Sequence, residues 1–279
     1  MTKKALVLGG GGVAGIAWET GLLAGLTEAG VPVLEADLMV GTSAGSTVAA
    51  QVTSGVGVEE LFRRQVDPAF QVPELPRTID TEALMAMFAE SYDPALDPGE
   101  LRRRVGAMAL KAPTVPEAER RPVIEARLPS HDWPALEIKI VAVDAETGED
   151  RVFDATSGVS LVDAVTASCA VPGVWPPATI GGRRYVDGAV RSPENADLAE
   201  GYERVLVVQV MEIPGQNELE KQVAFLRERG SEVMVIGPDE AAAAAMGPNL
   251  LDPAKREPAA TAGREQGLRA APEVAGFLK

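Results

Sequence analysis

"ALVLGGGGVAGIAWETGLLAGL", residues 5–26, decides the fold. The apolar run over residues 4–8 reads as a short buried strand ended by glycine. Four glycines follow. Behind them Ile16, Leu22, Leu23 and Leu26 share one face of a helix predicted over residues 16–29, which Gly30 stops. Strand, glycine turn and helix open an α/β unit. So bare a backbone suits a dinucleotide, a phosphate, or a charge that exists only during a reaction.

The glycine run leaves these alternatives open. Gly10-Gly11-Gly12-Val13-Ala14-Gly15 fits G-x-G-x-x-G between a strand and a helix, the dinucleotide fingerprint in its proper setting. That site also needs an acid ending the next strand, about 20 residues on. Glu35 lies near that distance but precedes the second strand, predicted over residues 37–40. A P-loop is excluded, because no Gly-Lys pair occurs in the chain. A positive φ at Gly11 would bar a branched side chain there.

Residues 37–52, "DLMVGTSAGSTVAAQV", carry a second motif. Gly41-Thr42-Ser43-Ala44-Gly45 is a G-x-S-x-G where a strand turns into a helix of small residues, the setting of a nucleophile elbow. A sharp turn exposes the Ser43 hydroxyl, and the amides of the helix it opens favour negative charge beside it. A serine nucleophile needs a base in contact with it. The one histidine, His131, sits in "LPSHDWPALEI" between Pro129 and Pro134 and reads as a surface turn, so the base should be a carboxylate. Asp187 is the candidate. Asp187-Gly188-Ala189 ends a short strand over residues 184–186 and follows the proline-punctuated loop "ASCAVPGVWPP", 167–177. A bare Asp-Gly is a turn signal; the rigid loop before it suits a group that must be placed accurately.

Elsewhere the chain alternates strand and helix. Strands are predicted over 135–143, with a return at 151–153, over 204–210 and near Glu232; helices over 161–167, 217–229 and 241–245. The C-terminal segment reads as helical, with Pro258, Gly263 and Gly267 leaving its limits open. Residues 58–128 show helical pattern, many prolines and no strong strand, and read as a helical cap within a single domain spanning 1–279. This alternation predicts an α/β fold with a mostly parallel sheet. Leu84, Met85, Met87 and Phe88 of the cap would suit an acyl chain, or pack the cap itself.

Composition excludes several functions. The net charge is −15, from 41 acidic and 26 basic residues, which argues against nucleic acid as a partner. Arg102-Arg103-Arg104, Arg120-Arg121 and Arg183-Arg184 read as solvated faces. Cys169, the one cysteine, reads as a small buried residue, and one cysteine with one histidine cannot assemble a Cys/His zinc site. No apolar run reaches the roughly 20 residues of a membrane span. Lys3-Lys4 and the apolar run after them imitate a secretion signal, but the glycines interrupt it, so a cytoplasmic location is expected.

Taken together, "GGGVAG" at 10–15, "GTSAG" at 41–45 and "ASCAVPGVWPP…YVDGAV" at 167–190 resemble the patatin-like phospholipase family in order and spacing, over most of the chain to about residue 210. The resemblance implies a three-layer α/β/α fold and a serine acyl-ester hydrolase with a Ser–Asp dyad. It implies Ser43 as nucleophile, Asp187 as base and the amides of Gly10, Gly11 and Gly12 as oxyanion hole, with Gly15, Gly41, Gly45 and Gly188 as motif glycines. It implies no metal or organic cofactor, a lipid or other acyl-ester substrate, and transient contact with a membrane surface. Ala14 departs from the Arg or Lys that the family often carries there, which removes cationic support beside the loop. Two other readings compete: a nucleotide-binding module on the G-x-G-x-x-G loop, and a catalytically silent relative that acts through a protein partner.

Overall fold

The computed structural model describes residues 2–75, 96–212 and 217–279. The expected cap residues Leu84, Met85, Met87 and Phe88 lie outside them. Five parallel strands form the centre of the sheet: β1 (Lys4–Leu8), β2 (Leu38–Thr42), β3 (Glu137–Asp144), β7 (Arg204–Val208) and β8 (Glu232–Ile236), in the order β3-β2-β1-β7-β8. Beside β3 lie β4 (Asp150–Phe153), β5 (Ala178–Ile180) and β6 (Arg183–Asp187), all paired antiparallel.

Alternation along the strands builds the two faces. In β1, Leu6 and Leu8 join one core cluster while Ala5 and Val7 join the other. The first cluster lies under α1 (Gly12–Glu28), α2 (Ala44–Val52), α6 (Leu161–Ser168) and α9 (Arg256–Phe277); the second lies under α7 (Glu218–Glu228). This is the three-layer α/β/α arrangement expected from the sequence.

Two elements differ from the sequence reading. Helix α1 starts at Gly12, four residues earlier than its apolar periodicity indicates, because the glycines that hide its start are its first turn. It also has no solvent face before residue 27: Val13 through Leu26 are all buried. The reason is α9. Gly263 and Gly267, together with Gly21 and Gly25 of α1, lie where any added Cβ would collide with a backbone carbonyl of the facing helix. The two backbones touch, and Trp18 Nε1 donates to Gln266 Oε1 at 3.0 Å across the seam. The glycines that leave the limits of α9 open in the sequence are thus its packing surface. Pro258 sits in its first turn, where a missing N–H is harmless.

Within 58–128 the described residues form three helices, α3 (Val58–Val66), α4 (Pro98–Ala109) and α5 (Glu117–Arg127). α3 packs against α1 and α9 and belongs to that layer. Between β8 and α9 lies the short α8 (Glu240–Met246).

Candidate active site

The register around β3 places the serine and the aspartate. Ile140 and Val141 pair with Gly41 and Thr42 of β2 on one side and with Phe153 and Val152 of β4 on the other. Ala142 and Val143 keep β4 but exchange β2 for Asp187 and Val186 of β6. β2 therefore stops and β6 takes over on the same edge of β3. β6 runs antiparallel to β3 and ends at Asp187, so Ser43 and Asp187 leave the sheet at the same place.

Ser43 adopts φ 51° and ψ −113°, a backbone conformation that an L-residue holds only under constraint. The constraint is visible. Its amide donates to Ser168 Oγ at 2.9 Å, and its carbonyl accepts from the Cys169 thiol at 3.2 Å and from Ser46 Oγ at 2.6 Å. Two residues on, the Gly45 amide donates to the Gly9 carbonyl at 2.9 Å, where a Cβ would strike the Leu8 backbone. Gly41 is likewise crowded against the Ser46 backbone and Gly188 against the Val141 carbonyl, while Gly15 meets the Val210 side chain, less closely.

Asp187 is 2% exposed. Its amide donates to the Ala170 carbonyl at 3.0 Å, so the 167–177 loop holds the backbone of both residues, Ser43 through Ser168 and Asp187 through Ala170. One carboxylate oxygen, Oδ1, accepts from the Ala189 amide at 2.8 Å. The other, Oδ2, has no hydrogen-bond partner among the described residues. Burial raises the Asp187 pKa to about 7, against the opposing pull of the Ala189 amide and the neighbouring Ser43 hydroxyl. A carboxylate so poised can accept a proton near neutrality.

The glycine loop leaves β1 next to this pair. The Gly10 amide is already committed, donating to the Pro193 carbonyl at 2.8 Å. Gly11 and Gly12 carry the amides that open α1, so its dipole adds positive potential there. The positive φ belongs to Gly12 (60°) and not to Gly11, whose φ of −176° is ordinary extended backbone. What excludes a side chain at Gly11 is Val210, which already occupies that space. Two further carboxyls lie beside Gly9. Glu19 is fully buried, and burial pushes its pKa well up against the smaller opposing pull of the Gly9 backbone; burial raises that of Glu194 to about 7.

A cavity of about 200 Å³ opens on Ser43, lined by apolar Val13, Ile16, Val171 and Leu251 and by charged Glu74, Arg120 and Arg127. Arg120 corrects the sequence reading of a solvated face. It is 4% exposed and its guanidinium lies 3.7 Å from the centre of the Trp175 ring, while its neighbour Arg121 points outward to Asp163 and Glu125. Successive residues on a helix face different directions, so adjacent arginines need not share a fate. Cys169 is buried as expected. His131 is on the surface, where its ring contacts Glu125, and does not line the cavity.

Besides the charged residues of the cavity, Asn195 also escapes the sequence analysis. Asn195 is fully buried at φ 56°. Its Nδ2 donates to Thr42 Oγ1 at 2.9 Å and to the Ser192 carbonyl at 2.7 Å; its Oδ1 accepts from Arg191 Nη1 at 2.6 Å. It ties the residue before Ser43 to the turn after Asp187. Its only sequence signal is its place eight residues beyond Asp187, between a glutamate and an alanine. Among the described residues no group of three His, Cys, Asp or Glu could hold a metal, and no helix is long and apolar enough to cross a membrane.

A strained serine on a strand-to-helix turn, at the carboxyl edge of a mostly parallel sheet, is the architecture of the nucleophile-elbow α/β proteins. Within that class the chain belongs to the patatin-like phospholipase family, whose pattern matches residues 6–200. Among solved structures it is similar to VipD from Legionella pneumophila, with 15% identity and a TM-score of 0.49 over 98% of this chain and 67% of that one. It is also similar to the type III effector protein ExoU, with 16% identity and a TM-score of 0.43 over 98% of this chain and 53% of that one. A second ExoU structure, from Pseudomonas aeruginosa in complex with SpcU, gives 18% identity and a TM-score of 0.32, over 97% of this chain and 53% of that one. The chain thus spans from about half to two thirds of the length of these proteins.

Proposed function

We propose that this chain is a serine acyl-ester hydrolase acting on lipid or related esters through a Ser43–Asp187 dyad. The observation that carries the reading is the meeting of β2 and β6 on one edge of β3, which sets a strained serine beside a buried, half-partnered aspartate. Asp187 takes the Ser43 proton as Oγ attacks the ester carbonyl. The carbonyl oxygen becomes an oxyanion, and the Gly11 and Gly12 amides at the head of α1 receive it. Collapse expels the alcohol, which takes the proton back from Asp187 and leaves an acyl-serine. Water, deprotonated by the same carboxylate, then releases the acid and restores Ser43. The apolar lining suits the acyl group. The family supports the lipid class of substrate.

A nucleotide-binding role for the glycine loop draws less support. Leu250 and Leu251 close over Gly12, where a dinucleotide's pyrophosphate would have to approach the backbone. Reaction with a fluorophosphonate probe, followed by peptide mass spectrometry, tests the proposal. An adduct on Ser43, lost in Ser43→Ala, is the expected result. Folded protein that forms no adduct and hydrolyses no ester would instead favour a catalytically silent relative working through a partner.

A further inference from the structure

Beside Ser43 the cavity carries charge that the dyad does not use. Glu74 lies in the strap before α4 and is met by three arginines from two helices. Arg127 and Arg256 each approach it at 2.5 Å and Arg120 at 3.5 Å. All four side chains are nine-tenths or more buried. Among the described residues one carboxylate therefore faces three guanidinium groups, in a chain whose net charge is −15. Buried charge in excess of its partners is unfavourable, and a further anion beside it would relieve that cost. Two other facts agree. Arg120 Nε and Arg127 Nε are buried with no hydrogen-bond acceptor among the described residues, and Arg120 Nη1 has only its long approach to Glu74 at 3.5 Å. Burial and the neighbouring Arg127 charge pull the Arg120 pKa down to about 10, as expected where positive charge is crowded.

We propose that this cavity is an anion-reading site: Arg120 and Arg127 bind a phosphate or carboxylate group carried by the ester whose carbonyl sits at Ser43, and Glu74 stands in that group's place when the cavity is empty. The inference rests on the acyl-ester hydrolase reading and adds a substrate class to it. Guanidinium pairs suit such a group because each presents paired N–H donors to two oxygens. Arg120 is held flat against Trp175, so its fork is aimed before the ligand arrives. Arg256 retains Glu74 and the Val72 carbonyl, which it contacts at 2.8 Å, and anchors the strap to α9. The cation at this site comes from α5, although Ala14 supplies none at the glycine loop.

A matched pair of esters tests this: hexanoylglycerol and hexanoylglycerol phosphate, identical except for the phosphate. The wild type should show kcat/KM at least tenfold higher for the phosphorylated ester. Arg120→Gln should bring the ratio close to one, Arg120→Lys should keep part of it, and Glu74→Gln should raise it by removing the resident carboxylate. Circular dichroism and thermal melting would identify a variant that has not folded, in which case the lysine variant carries the test. Inorganic phosphate, added alone against hexanoylglycerol hydrolysis, separates the sources. Competitive inhibition at millimolar concentration means that a free anion suffices; phosphate-ester preference without such inhibition means that the group must arrive on the lipid. Either result supports the site. A wild-type ratio near one, or a ratio that Arg120→Gln and Glu74→Gln leave alone, would reduce the cluster to an ionic brace. If neither ester is hydrolysed, calorimetric titration of Ser43→Ala with the same two compounds decides the question. Tighter binding of the phosphate ester keeps the anion site while the hydrolase reading falls; equal binding removes both.

Discussion

Asp187→Asn should make the protein more stable and nearly inactive, and both effects can be sized from the structure. The carboxylate is buried, one oxygen is unpartnered, and its pKa rises from the ordinary 3.8 to about 7. Between about pH 4 and pH 7 the folded chain holds a proton that the unfolded chain releases. The neutral acid is thus tolerated in full below pH 4, and stability is lost progressively as pH rises from about 4 to about 7, levelling once the buried group has ionised. The rise from 3.8 to about 7 corresponds to roughly 4 kcal/mol at saturation. Asparagine keeps an oxygen for the Ala189 amide and never ionises. Its NH2 needs an acceptor, which the Ser43 hydroxyl beside it can supply. The variant should therefore gain about 2–4 kcal/mol over wild type at pH 8 and almost nothing at pH 4. Glu19 and Glu194 titrate in both proteins, so the difference isolates Asp187. Urea denaturation at pH 4, 6 and 8 measures it. Activity should move the other way: wild-type kcat/KM on a neutral short-chain ester should rise about tenfold per pH unit up to about 7 and then level, and the variant should lose about 10²–10⁴-fold. A stability difference that does not grow with pH would show that the carboxylate is not desolvated. An acid limb centred near pH 4 would show that some other group is the base.

Ser43→Ala should abolish ester hydrolysis, by at least about 10³-fold, while circular dichroism and melting temperature stay near wild type, since Ser168 and Cys169 grip the backbone and not the hydroxyl. His131→Ala should keep turnover within about twofold, whereas a triad histidine would cost orders of magnitude; a large loss in folded protein would end the Ser–Asp assignment. Asn195→Ala should lower kcat more than it alters KM and leave the fluorophosphonate adduct slower to form, with Asn195→Asp restoring little because Thr42 loses its N–H donor. Gly263→Val should unfold the protein or cut its stability by more than about 3 kcal/mol, read from urea midpoints, because the helix seam with α1 has no room for a side chain.

The elements near the site were legible wherever a local rule governs them. β1 ends where the glycines begin because an apolar run followed by glycine is both the pattern and the physics. The elbow at Ser43 needed only its five residues, since small neighbours are what a sharp strand-to-helix turn demands. Asp187 was legible as a rigidly mounted acid because prolines and glycines precede it. What the sequence concealed lies in contacts made at long range. Glu74, Arg127 and Arg256 are 53 and 182 residues apart along the chain, and no local pattern announces that they meet. Asn195 contacts Thr42 across 153 residues. Gly263 and Gly267 read as interruptions of a helix until α1 is laid against them. For Arg120 a local rule misled: adjacency to Arg121 suggested one solvated patch, and tertiary packing sent one side chain inward.

The carboxyl edge of the sheet concentrates features that each lower stability: positive φ at Ser43 and Asn195, an aspartate and a glutamate with raised pKa, and three arginines on one carboxylate. Strain of this kind persists only when the surroundings over-determine it. Here they do. β2 and β6 are both hydrogen-bonded to β3, β1 is held between β2 and β7, and α1 is clamped by α9 along a seam without side chains at four positions. A loosened α1 would release its first turn, and that turn is the glycine loop. The helix seam and the glycine loop are therefore one mechanical unit. It follows that a milder seam substitution such as Gly25→Ala, if it folds, should slow acylation of Ser43 by displacing Gly11 and Gly12, although residue 25 lies three helical turns from the serine's side of α1. Stopped-flow acylation by a p-nitrophenyl ester would read this directly. Loss of stability with an unchanged acylation rate would show that the loop is held by Pro193 and Leu250 alone, through the Gly10 and Ala14 amides, and owes nothing to the seam.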